Sequence, residues 1–107
     1  MSYTGIEEGV GELIIPIFSS RAYSYAWAGI ERSRLHQHPF TEVYYILATG
    51  YTDSEKPGYV HGENEVLEVE KGDVVVIGPD VKHYAENVSL FVFCTPRFDE
   101  SLVKYQA

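Results

Sequence analysis

The chain has 107 residues, 45% of them apolar and 22% charged, with 9 Gly, 5 Pro and one Cys. That size suits a single domain over residues 1–107; the apolar share excludes a disordered chain, and a lone cysteine excludes a disulfide-stapled scaffold. The net charge of −8, from 8 Lys and Arg against 16 Asp and Glu, leaves no basic stripe for nucleic acid or an anionic membrane.

The pattern is β-structure almost throughout, because Tyr, Phe, Val and Ile favour pleated, half-buried surfaces. The first strand is expected over 12–18. Its run Leu13-Ile14-Ile15-Pro16-Ile17-Phe18 is too short to span a bilayer and follows no basic region, so a cytoplasmic protein is expected. Strict alternation in Tyr23-Ser24-Tyr25-Ala26-Trp27-Ala28 predicts a second strand, with its inner face left open. Further strands are expected over 32–38, 42–49, 59–61, 66–70, 74–78, 82–87 and 90–95. Turn chemistry separates them at His38-Pro39-Phe40, Gly62-Glu63-Asn64, Lys71-Gly72-Asp73 and Gly78-Pro79-Asp80. The polar stretch 50–57 reads as an exposed hairpin tip or an insertion, and 99–105 as a short helix with Asp99 at its N-cap. Short strands at this spacing predict an all-β fold, a small antiparallel barrel or jelly roll.

The chemistry sits in the histidines. His36 and His38 lie two apart on an expected strand and project from one face. Glu42 follows the Pro39-Phe40-Thr41 bend, and His83 follows the turn at 78–80. Two imidazoles, a nearby carboxylate and a third imidazole from another strand would complete a transition-metal shell. Taken alone, a His-x-His pair is more often an ordinary pair of surface or core side chains. Cys94 reads as a small buried hydrophobe and His61 as a surface histidine. There is no phosphate-cradling glycine loop, no Gly-x-Ser-x-Gly elbow and no Cys-x-x-Cys.

Two stretches resemble the paired motifs of the cupin superfamily. His36-Gln-His38-Pro-Phe-Thr-Glu42, running on to Gly50, is similar to the first; Gly72-Asp-Val-Val-Val-Ile-Gly78-Pro-Asp80-Val-Lys-His83, running on to Asn87, is similar to the second. Gly29 stands for the leading glycine of the first motif. Gly78 and Asp80 occupy places where Pro and Gly are usual, and Asp tolerates the left-handed conformation that Gly would supply.

The resemblance implies that His36, His38, Glu42 and His83 hold one divalent transition metal per chain (Fe, Mn, Ni or Zn), with Asn87 in a structural role. It implies a small-molecule substrate, polar or anionic, and chemistry of the isomerase, epimerase or lyase type. The alternatives are an Fe(II) dioxygenase and a non-catalytic metal- or ligand-binding module. Glu42 and Tyr44 are the candidate catalytic residues. Arg34, which shares the face of His36 and His38 by strand parity (with Arg32 more distantly), and Tyr44 are the candidate substrate contacts. A homodimer is expected, with 12–18 as the exchanged or interface strand.

Overall fold

The computed structural model describes residues 3–4 and 10–106. Its strands are β1 (Tyr3–Thr4), β2 (Val10–Ser19), β3 (Ser24–Arg32), β4 (His36–Gln37), β5 (Thr41–Thr49), β6 (Gly58–His61), β7 (Val66–Val69), β8 (Val74–Ile77), β9 (Tyr84–Thr95) and β10 (Lys104–Tyr105), with one 3-10 turn at Glu100–Leu102. The fold is all-β. Every pairing is antiparallel. The main sheet runs β1-β2-β3-β9-β5-β8; β6 joins it through β9 and carries β7, while β4 and β10 form a separate ribbon. Among the described residues, no helix is long and apolar enough to cross a membrane.

The expected strand pattern holds with three corrections. The stretch 32–38 is not one strand. Ser33 turns inward at 3% exposure. Its amide donates to the Ala85 carbonyl at 2.8 Å and its Oγ accepts from the Ala85 amide at 2.8 Å. Arg32 opposes Glu86 and His36 opposes His83, so one strand fits one more residue into the same length than the other. That extra residue breaks the parity between Arg32 and the histidines: the Arg32 guanidinium lies 5.9 Å from the Tyr84 ring centre, outside the main cavity.

The second correction joins 82–87 and 90–95 into the single strand β9, which pairs with β3, β5 and β6. Asn87 bends it with φ of 56°. The third concerns 99–105. Asp99 does cap a turn, accepting from the Ser101 amide, but the turn covers only Glu100–Leu102. Lys104 and Tyr105 then pair with Gln37 and His36.

Alternation sorts side chains to two faces. Ile30, Ile46, Val88 and Leu90 point inward and are at most 3% exposed. The aromatic residues Tyr25 and Trp27 point outward, so the inner face of β3 is the small one, Ser24, Ala26 and Ala28. Asp80 adopts φ of 60°, the conformation its place in the turn requires.

Candidate metal centre

His36 and His83 face each other as a hydrogen-bonded pair, exchanging backbone bonds of 3.1 and 2.9 Å. This puts their rings 4.3 Å apart. His38 follows on the same face, its ring 4.9 Å from that of His83 and stacked at 4.0 Å on buried Phe40. The Asp80 amide donates to the His38 carbonyl at 2.7 Å, tying the two motifs together. Beyond the bend, Glu42 enters β5 and faces the rings at 5% exposure. One donor atom each from His36, His38, Glu42 and His83 lies within 4.8 Å of the others.

All three rings are oriented by the same device. His36 Nδ1 lies 2.6 Å from the Arg34 carbonyl, His38 Nδ1 3.0 Å from that of Phe40, and His83 Nδ1 2.7 Å from that of Val81. A carbonyl can only accept, so each Nδ1 carries a proton and each Nε2 is the nitrogen turned toward the cluster; that of His83 lies 3.0 Å from Glu42 Oε1. The ring nitrogen pointing away from a metal is held in this way in histidine metal sites. His38 Nε2 is buried without a hydrogen-bond partner, 3.6 Å from Glu42 Oε2. A buried polar nitrogen without a partner is costly unless something binds it. The donor set of three imidazoles and a carboxylate fits a divalent transition metal, whose identity these ligand types leave open.

Electrostatics favours the ligand forms of Glu42 and His36. Burial pushes the Glu42 carboxyl up, but hydrogen bonds with His38 and His83 outweigh it and hold the group well below the carboxylate range. Burial, together with the charge of His83, lowers His36 to about 4, so it is neutral at pH 7. Burial lowers His38 as well, yet the hydrogen bond to Glu42 more than compensates and leaves it raised. Protons and metal compete for the same nitrogens. His38 is therefore protonated before His36 as pH falls, and bound metal is expected to leave below about pH 6. Metal content measured after dialysis across this range checks it; full occupancy at about pH 4 would exclude histidine ligation.

The other candidate residues fall as follows. Tyr44 is 4% exposed, lines the cavity beside Glu42 and lies 6.3 Å ring to ring from His83. Burial and then the Glu42 charge raise its phenol well above 10. Arg34 lines the cavity mouth, donates from Nε to the Gln106 carbonyl at 3.3 Å and lies 5.0 Å from the Tyr105 ring centre. His61 stands apart, bonded to Glu86 at 2.6 Å and stacked on Tyr84. Cys94 is more than core filling: its thiol donates to Glu42 Oε2 at 3.5 Å, directly across the β5–β9 ladder. Parity in 90–95, which puts Leu90, Val92 and Cys94 on one face, is the only sequence signal for this.

A cavity of about 520 Å³ opens from the centre toward β2, β3 and the C-terminal segment. The architecture defines the class: the chain has the fold of the cupin superfamily, and its cluster of three His and one Glu could hold a metal ion.

Solved structures agree on the fold. A cupin-like protein from Thermotoga maritima matches with TM-score 0.73 at 14% identity, covering 99% of this chain and 79% of that one. An RmlC-like cupin from Shewanella frigidimarina matches at 0.68 and 14%, covering 84% and 79%. Pac13 from Streptomyces, described as a unique nucleoside dehydratase, matches at 0.75 and 14%, covering 97% and 89%. In sequence, the uncharacterized protein MJ1618 of Methanocaldococcus jannaschii is 32% identical over 87 residues, which make up 80% of this chain and 54% of that protein. The chain thus matches about half the length of that relative. No protein-family model matches the chain.

Proposed function

We propose that this protein is a metal-dependent enzyme of the isomerase or lyase type acting on a small molecule that presents oxygen atoms to the centre. The observation that carries this reading is the convergence of three imidazoles, each held through Nδ1, on a carboxylate, with His36 and Glu42 lining a cavity of about 520 Å³. His36, His38, Glu42 and His83 would hold a divalent cation, which would supply Lewis acidity toward substrate oxygen. The chain's own groups do the rest. Tyr44 keeps its proton at neutral pH and donates it, or a hydrogen bond, to a substrate oxygen. Cys94 holds Glu42 Oε2 and so helps set the carboxylate's orientation. Arg34 stands at the mouth to orient the substrate through its remaining N–H groups. The lyase branch is supported by the likeness in fold to Pac13, a dehydratase.

The test is solvent exchange. Metal-loaded protein in D2O is incubated with α-oxo acids, ketoses and nucleosides, and proton NMR follows C–H exchange or loss of water. One class is expected to react, and Tyr44→Phe should slow it about 100-fold with metal content unchanged. Bound metal with no turnover across the panel would instead favour the binding-module alternative.

The proposed partner is a second copy of the chain. Ile15, Trp27, Phe91, Tyr45 and Val74 form an unbroken row across β2, β3, β9, β5 and β8, and Phe18, Tyr25, Phe93, Val43 and Val76 form a second. Tyr45, Val74 and Val76 are 47%, 58% and 65% exposed. Ten apolar side chains without a charge exceed the scattered singles normal on a monomer. Expected strand 12–18 contributes Ile15 and Phe18 to this face. Light scattering is expected to give a dimer, and Val76→Glu a folded monomer; a monomeric parent chain would refute the pairing.

A further inference from the structure

We infer that the cavity beside the centre takes a ligand with a flat, uncharged, apolar body behind its metal-facing oxygens, and that Tyr105 selects for it. This rests on the metal-centre reading above and names the kind of molecule the site accepts.

The walls carry the inference. A volume of about 520 Å³ lies within the range of small-molecule sites. Beyond His36 and Glu42, and the polar groups of Tyr44, Ser24 and Cys94 near them, one wall is apolar: Ile14, Ala26, Ala28, Leu90 and Val92, from β2, β3 and β9. None of the side chains on that wall can accept or donate a hydrogen bond. Hydroxyls of a sugar or polyol pressed against them would lose water and gain no partner, whereas an apolar body loses nothing. The alanines open this space, because β3 sends its bulk, Tyr25 and Trp27, to the opposite face. Charge along the lining is mixed: Arg34 and Arg97 stand with Asp99 and Glu100, and Glu12 acts on Tyr44. Such a lining gives no net pull on an anionic tail.

Tyr105 supplies the flat surface. It pairs in register with His36, and the two ring centres are 5.9 Å apart. The Arg34 guanidinium lies 5.0 Å from the same ring. The segment bearing it is tied down at both ends. The Phe98 amide donates to Ser24 Oγ at 2.8 Å, and the Phe98 ring packs edge-on against Phe40. The Gln106 amide donates to the Leu35 carbonyl at 2.9 Å. Tyr105 is thus a fixed aromatic wall next to a ligand histidine, placed to stack on whatever the metal holds.

Hydroxamates test this, since each offers the same two oxygens to a metal with a different body behind them. Protein loaded with Co(II) is titrated with acetohydroxamate, benzohydroxamate and gluconohydroxamate, and Kd is read from the visible Co(II) spectrum. Benzohydroxamate is expected to bind about 30-fold more tightly than acetohydroxamate, the scale set by burying one phenyl ring. Gluconohydroxamate should gain nothing over acetohydroxamate. Tyr105→Ala should bring the two simple probes close to equal affinity with Co(II) content and acetohydroxamate Kd unchanged, while Tyr105→Phe keeps the preference. Bound cobalt with no preference for the phenyl body, or a polyol probe that binds tightest, overturns this inference alone. A Tyr105→Ala protein that keeps the full preference, or loses all probes equally, overturns the role of Tyr105. A parent chain that holds no cobalt refutes the metal reading and this inference with it.

Discussion

His36→Ala is expected to reduce bound divalent metal from close to one ion per chain to a small residue. His36 is one of four donors, and its ring is held at 2.6 Å from the Arg34 carbonyl with Nε2 toward the others. Loss of a carbonyl partner behind a ligand histidine typically costs 10- to 100-fold in metal affinity, so loss of the ligand itself should exceed about 100-fold. The fold should survive, because His36 meets His83 through backbone bonds that alanine retains and its side chain is only half-buried. Metal analysis of the purified proteins, with chelator competition for affinity, reads the change. Equal metal content in parent and variant would mean that the four residues form a polar core cluster and no binding site.

The second large effect is on stability. Asn87→Ala is expected to destabilise the protein by about 4 kcal/mol, from several hydrogen bonds at roughly 1 kcal/mol each plus a strained backbone. Asn87 is 8% exposed. Its Nδ2 donates to the carbonyls of Asp53, Lys56 and Pro57 at 3.0–3.1 Å. Its Oδ1 accepts from the amides of Thr52 and Asp53 and from the Thr52 hydroxyl, at 3.0–3.3 Å. The Gly50 amide adds a bond to its own carbonyl. One side chain therefore organises the whole stretch 50–57 while its backbone holds φ at 56°. Asn87→Asp should be worse still, because a carboxylate oxygen would replace the amide nitrogen in front of three carbonyls. Denaturant unfolding measures both variants; a loss under about 1 kcal/mol for Asn87→Ala would show that the loop holds itself.

Asn87 also marks the limit of reading motifs in one dimension. Its place after His83 suggests a structural role, but nothing local connects it to residues 30 to 34 positions earlier. Strand parity carries further where pairing is regular. Leu90, Val92 and Cys94 share the inner face as alternation requires, and Tyr44 lies beside Glu42. Parity fails at Ser33, where an extra residue is absorbed by side-chain bonds to Ala85 that no pattern announces. The tail shows the same limit: Asp99 signals a cap, but pairing with β4 turns the residues after Leu102 into a strand and brings Tyr105 to His36.

What the amino-acid order determined by itself is what short range can encode. It set the alternation that makes this chain all-β, the turns that break it, and the donor types at 36, 38, 42 and 83. The tertiary structure alone decided which nitrogen of each ring faces the centre, since that depends on a carbonyl brought within 3.0 Å. It also decided that Cys94 touches Glu42, that Arg32 leaves the site and that one wall of the cavity is apolar. Each of these is a contact or an orientation created when strands distant in sequence pair, and pairing register is a property of the assembled sheet.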